Sequence, residues 1–274
     1  MTYSIVARDA TTGEIGVAVQ SHYFATGSIV TWAEPGVGAV ATQATAEISY
    51  GPLGLDLMRA GKSAPDALRA LLAADDASAT RQVAMVDAAG RAATHTGDRT
   101  IADAGHVTGD GWSVQANMMR RETVWGAMAK AYEAAAGDLA DRLLAALDAA
   151  EAEGGDIRGK QSATLLVVPA SGARWDTTID VRVDDHPEPL TELRRLVAMR
   201  RAYISVQDGP AMGDNPELTF WTGTAMAMGG QVDEALPLLR KAYAADPGWA
   251  ELLRRLPATG MFPDDPDLLD RLTP

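Results

Sequence analysis

The sequence contains no cysteine among its 274 residues. That absence excludes a disulfide framework, a thiolate metal site and a cysteine nucleophile, so covalent catalysis has to use a serine or threonine hydroxyl. Histidine is also scarce, and the spacing of the four histidines matches no metal-ligand motif. We therefore expect neither a metal nor a cofactor.

Basic side chains are few compared with acidic ones: 24 Lys and Arg against 37 Asp and Glu give a formal net charge of −13. This excess of negative charge repels nucleic acids and anionic membranes, so we expect neither as a partner. No stretch approaches the roughly 18 consecutive apolar residues of a membrane span, and the first residues lack the basic-then-apolar order of a signal peptide. We expect a cytoplasmic protein that acts on a small molecule.

The pattern of apolar residues predicts strands in groups, separated by pairs of helices. The predicted strands are 2–7, 15–19, 28–32, 37–42, 81–86, 91–96, 112–117, 163–168 and 177–183. Helices are predicted after residue 50, after residue 63, and over 122–136, 139–153 and 189–205. This grouping favours an α+β layered sandwich over a doubly wound parallel sheet, in which strands and helices alternate.

The chain is long enough for one large core and a smaller second domain. Residues 1–205 are predicted to form the main domain, 206–214 a Gly- and Asp-rich linker, and 215–274 a small all-α domain. The spacing of small and large residues after Glu217 is typical of one tetratricopeptide helix pair. A single repeat cannot bury both of its faces, so we expect a third helix at 249–256 and docking on the main domain or on a protein partner. We also expect a homo-oligomer.

Several segments taken together resemble one family. They are 2–7 (TYSIVA), 16–21 (GVAVQS), 36–44 (GVGAVATQA), 49–52 (SYGP), 95–97 (HTG), 113–118 (SVQANM) and 155–163 (GDIRGKQSA). Together they resemble the bacterial and archaeal domain of unknown function 1028, over residues 1 to about 200. The resemblance implies a four-layer αββα sandwich of the N-terminal-nucleophile-hydrolase type. Residues 215–274 resemble the module that often follows it, which is labelled peptidoglycan-binding.

The resemblance implies that the nucleophile is a hydroxyl at the start of a central strand, activated by that residue's own free α-amine. Two residues compete for this role. Alignment of the two hairpins by length favours Ser4, with Gln20 where an acidic partner usually lies, but Ser4 would need residues 1–3 to be removed or a different base. Thr2 needs only the removal of Met1. The lysine of such enzymes is missing, since 29–33 contains no basic residue, and Ser4 could instead be a strand serine bonded to its neighbours.

Other polar residues on strands are candidates for lining a pocket. Thr42 and Gln43 end a Gly- and Ala-rich strand, where small side chains allow the close approach of a ligand or of another backbone. Gln115 and Asn117 share one strand face, so their amides could line a pocket or donate to an oxyanion. Asn117 is therefore a catalytic candidate and Gln115 a substrate-binding one.

A Gly-rich loop supplies three further substrate-binding candidates, Asp156, Arg158 and Gln161. An arginine beside an aspartate could recognise a carboxylate, or the two could form a salt bridge that fixes the loop. His95 follows a strand and could act as a base, although a histidine there more often bonds to the backbone.

These observations lead to a hypothesis with one alternative. The chain is predicted to hydrolyse the amide bond of a small carboxylated metabolite with a serine or threonine nucleophile. The alternative is a non-catalytic protein that binds a ligand or partner on a degenerate hydrolase fold.

Overall fold

The computed structural model describes residues 2–205 and 215–274. Ten strands in these residues form two antiparallel sheets. The strands are β1 (Thr2–Arg8), β2 (Ile15–Ser21), β3 (Thr31–Glu34), β4 (Gly38–Ala44), β5 (Arg81–Asp87), β6 (Ala92–Thr96), β7 (Gly105–Gly109), β8 (Trp112–Asn117), β9 (Ser162–Val168) and β10 (Ile179–Val183). The first sheet has the order β10-β9-β2-β1-β8-β7, and the second has the order β3-β4-β5-β6. The expected α+β class is confirmed.

Ten α-helices accompany the sheets in the described residues. They are α1 (Gly27–Val30), α2 (Tyr50–Arg59), α3 (Ala64–Ala73), α4 (Val124–Ala134), α5 (Leu139–Ala152), α6 (Pro189–Ser205), α7 (Pro216–Met228), α8 (Val232–Ala245), α9 (Gly248–Arg255) and α10 (Pro266–Leu272). In this part of the chain, no helix has the length and apolar character needed to cross a membrane.

The strand β1 lies in the middle of the first sheet and is buried on both faces. Tyr3 and Ile5 belong to an apolar core with residues of α4 and α5. Val6 belongs to a second core, which joins β1 and β2 to β4 and β5 of the other sheet. Side chains alternate along a strand, so Thr2 and Ser4 point toward the second sheet like Val6. A third core lies between the second sheet and the helices α2 and α3.

The chain divides into two compact units, Met1–Val197 and Ala198–Pro274. The second unit has its own core, which includes Phe220 of α7, Leu239 of α8 and Leu253 of α9. The expected helix at 249–256 is present as α9, while α10 was not anticipated. The expected linker at 206–214 lies outside the described residues.

Two strand predictions differ from the structure. The segment predicted as a strand at 28–32 begins as the short helix α1, and β3 starts only at Thr31. Strand β7 was not predicted, because its five residues include glycine at both ends and a single strongly apolar side chain, Val107. Pairing with β8 stabilises β7 despite this composition.

Gly27 is a position where the fold leaves no room for a side chain. A Cβ there would lie 1.9 Å from Thr164 Oγ1 and 2.7 Å from Thr164 Cβ. We expect Gly27→Ala to lower the free energy of unfolding by about 1–3 kcal/mol, because β9 or α1 must shift. Gly126→Ala in α4 is the control, because open space surrounds that position. Alanine there should raise the free energy of unfolding by up to ~1 kcal/mol. Equal melting temperatures for the two variants would contradict the close contact between α1 and β9.

Candidate functional site

Ser4 is completely buried between the two sheets. Its Oγ donates a hydrogen bond to Gln43 Oε1 at 2.7 Å and accepts one from Gln115 Nε2. Both partners are neutral amides, and neither can remove a proton from the hydroxyl at ordinary pH. The environment of Ser4 thus matches the structural alternative, a strand serine bonded to its neighbours.

Thr2, in contrast, borders a cavity. Its hydroxyl donates to Ser21 Oγ at 3.1 Å, and 5% of the residue is exposed. The cavity measures about 260 Å³. Its lining consists of Thr2, Ser21, Tyr23, Thr26, Ile29, Val30, Gln43, Ala44, Ala46 and Ile48. One part of this wall is apolar and the other carries hydroxyl and amide groups, and none of the ten side chains is an acid or a cation.

A group of buried amides surrounds the start of β1. Gln43 Nε2 and Asn117 Nδ2 lie 3.3 and 3.4 Å from the backbone oxygen of Thr2. The same two nitrogens donate to Gln82 Oε1, at 2.7 and 2.9 Å. Gln82 in turn donates to the backbone oxygen of Ala116 at 2.8 Å. Such a network fixes the backbone of Thr2 by contacts from both sheets.

Gln20 does not lie on the face that carries Thr2 and Ser4. It pairs with Tyr3 in the β1–β2 register, so both side chains point toward α5 rather than toward the second sheet. Gln20 is buried, and neither of its amide atoms has a partner among the described residues. The hairpin alignment that favoured Ser4 with an acid-like partner at Gln20 is therefore wrong, because the two side chains lie on opposite faces of the sheet.

Tyr3 anchors β1 on the helix side. Its hydroxyl donates to Glu151 Oε2 at 2.8 Å. Burial, reinforced by the negative charge of Glu151, raises the pKa of Tyr3 well above its ordinary range. The side chain therefore stays neutral at physiological pH and serves as a hydrogen-bond donor rather than a base.

The Gly-rich loop is held by its own ion pair. Asp156 is buried, and its Oδ2 accepts hydrogen bonds from the backbone N–H of His22 at 3.0 Å and from the guanidinium of Arg158 at 3.1 Å. Gln161 donates to Asp185 Oδ1 at 3.1 Å. None of the three candidates in this loop lines the cavity beside Thr2. The contacts match the alternative interpretation, a salt bridge that fixes the loop.

Thr42 and His95 lie on the other side of the second sheet. Thr42 faces the helices and donates to the backbone oxygen of Glu47 at 3.0 Å. The His95 ring donates from Nε2 to the backbone oxygen of Ser78 at 2.8 Å. His95 thus bonds to the backbone, as strand-end histidines commonly do, and neither residue lines the cavity beside Thr2.

The structure brings together five of the ten candidates, namely Thr2, Ser4, Gln43, Gln115 and Asn117. It adds Gln82 and Ser21, which sequence reasoning missed. Gln82 pairs with Gln43 across β4 and β5. The available signal for Gln82 was a glutamine at the start of an apolar strand, but the sequence does not show that it contacts Asn117 of the other sheet. Within the described ranges, no three His, Asp or Glu side chains gather as a metal site would require.

Comparisons with known proteins found a family model and similar solved structures. The family model described as a family of unknown function (DUF1028) matches residues 2–193. A crystal structure from Silicibacter pomeroyi, described by the same family model, is 33% identical and has a TM-score of 0.67 over 72% of this chain and 85% of that one. Anbu, the ancestral β-subunit, from Yersinia bercovieri is 12% identical, with a TM-score of 0.35 over 77% of this chain and 99% of its own. None of the curated proteins matches.

Proposed function

This chain belongs to DUF1028, a family of unknown function, and we propose that it hydrolyses the amide bond of a small carboxylated metabolite with Thr2 as the nucleophile. We further propose that its main domain is an αββα sandwich of the N-terminal-nucleophile type. Three apolar cores support this assignment, since they lie between helices and the first sheet, between the sheets, and between the second sheet and helices.

The environment of Thr2 supports its role as the nucleophile. Thr2 is the first residue of β1 and lines a cavity, and buried amides reach its backbone oxygen. Removal of Met1 would leave the α-amine on the same residue as the hydroxyl. An amine so close to the nucleophile is the base that this kind of catalysis uses in place of a histidine.

The chemistry then proceeds in two steps. The Thr2 hydroxyl attacks the amide carbonyl and gives its proton to the α-amine. The α-amine passes this proton to the nitrogen of the substrate, the C–N bond breaks, and the acyl group remains on Thr2 as an ester. Water, deprotonated by the same α-amine, attacks the ester. The acid departs, and the protonated α-amine returns its proton to the Thr2 oxygen, which restores the hydroxyl. Gln43 and Asn117 act as positioning residues, because they bond to the backbone of Thr2 rather than to the reacting atoms.

One observation favours the alternative, a ligand-binding protein without catalysis. Among the described residues that line the cavity, no side chain is an acid, a lysine or a histidine. If Met1 stays in place, the site contains no base and can only bind. Such a protein would show higher melting temperatures with compact amides but no release of amine.

The pH dependence of hydrolysis tests the proposal. We expect kcat/KM for compact amides to rise with pH through the ordinary titration range of an α-amine, near pH ~8, because the deprotonated amine is the base. Release of amine should be followed across this range, with blank reactions without protein as the control. A rate that does not depend on pH would contradict the proposed base.

A further inference from the structure

A second, smaller cavity adjoins the one beside Thr2. It measures about 70 Å³, and Ala44 lines both cavities. Asn117, which pairs with Thr2 in the β1–β8 register, forms part of its wall. The larger cavity is thus bordered by Thr2 itself, and the smaller one by the residue that pairs with Thr2 on the neighbouring strand.

The backbone of this second cavity is strained. Ala44 and Met118 line it, and both have positive φ angles, +69° and +59°. Residues with a Cβ rarely adopt this region, and such strain concentrates at functional sites because the surrounding structure has to maintain it.

The chemistry of the wall favours a carboxylate. Arg99, an exposed residue, lines the cavity, and no acidic side chain of the described residues lies within ion-pair distance of it. Thr45, also exposed and in the wall, has a hydroxyl without a hydrogen-bond partner among the described residues, so it is free to donate. A guanidinium and a hydroxyl donor at one small cavity suit a carboxylate in a chain that otherwise carries a charge of −13.

We propose that the second cavity binds the carboxylate of the substrate's amine half, so that the substrate is an N-acylated small amino acid. This inference rests on the proposed function. The acyl group packs in the larger cavity against Ile29 and Val30, the amide carbonyl lies at Thr2, and the carboxylate pairs with Arg99. The volume of about 70 Å³ leaves room for little beyond the carboxylate and its α-carbon, which favours glycine or alanine as the amino acid.

The test compares substrates with and without the carboxylate. N-acetyl-, N-butanoyl- and N-benzoylglycine are assayed beside the matching N-ethyl amides, with wild type, Arg99→Gln and the control Arg69→Gln. Arg69 is an exposed arginine of α3 that lines neither cavity. We expect Arg99→Gln to lower kcat/KM about 10- to 100-fold for the N-acylglycines alone, because a charge-assisted hydrogen bond is lost. An unchanged ratio of acid to N-ethyl amide in Arg99→Gln would overturn the inference.

A binding measurement separates this inference from the proposed function. The melting temperature of Thr2→Ala is recorded with the three N-acylglycines, alone and combined with Arg99→Gln. A stabilisation that disappears in the double variant supports the carboxylate site even if wild type hydrolyses nothing. If no N-acylglycine raises the melting temperature of Thr2→Ala and the wild-type protein releases no amine, both the carboxylate site and the proposed hydrolysis are refuted.

Discussion

Thr2→Ala is expected to lower amide hydrolysis by at least ~10³-fold, because the variant has no nucleophile. The fold should persist, since Thr2 contributes one hydrogen bond to Ser21, worth about 1 kcal/mol. Alanine, like threonine, is small enough to allow removal of Met1, so the free amine is unchanged. Amine release and the melting temperature are the two measurements.

Ser4→Ala and Thr2→Ser are the matched controls. Ser4→Ala removes the partner of Gln43 and Gln115 and should cost about 1–3 kcal/mol of stability while the enzyme keeps its activity. Thr2→Ser retains a hydroxyl beside the α-amine and should keep measurable turnover. If Thr2→Ala hydrolyses amides as fast as wild type while Ser4→Ala is inactive, the nucleophile is Ser4 and not Thr2.

Gln82→Leu is expected to lower the free energy of unfolding by about 2–5 kcal/mol, since the buried amide nitrogens of Gln43 and Asn117 each lose the shortest of their hydrogen bonds. For a domain of this size the loss corresponds to roughly 5–15 °C in melting temperature. Activity should fall as well, because the same two amides position the backbone of Thr2.

Gln161→Leu is the control for this effect. Gln161 donates a single hydrogen bond at the surface, to Asp185, so its replacement should change stability by less than ~1 kcal/mol. Thermal unfolding of both variants gives the comparison. Equal stability of Gln82→Leu and wild type would mean that the buried amides do not act as a network.

Much of the fold follows from local pattern. Alternating apolar residues predicted the hairpin of β1 and β2, and the family resemblance to DUF1028 is confirmed over residues 2–193. Strand β7 was not predicted, because its stability comes from pairing with β8 rather than from its own residues. The segment 28–32 begins as the helix α1, whose Gly27 lies so close to Thr164 that a Cβ would not fit, a contact that no local pattern encodes.

The candidate site was predictable only where it depends on one strand. The period of two correctly put Gln115 and Asn117 on one face. It could not show that Gln43 and Gln82 approach that face from the second sheet, because the pairing of sheets depends on tertiary packing. Arg99 gave no signal at all, since it lies in a loop without a motif. The arginine that sequence did single out, Arg158, is bound to Asp156 instead.

The N-terminal state of the purified protein tests the central claim most directly, because the proposed chemistry requires a free amine on Thr2. Intact mass combined with N-terminal sequencing identifies the first residue. We expect a chain that begins at Thr2. Retained Met1 in a protein that hydrolyses amides, or a chain that begins at Ser4, would contradict it.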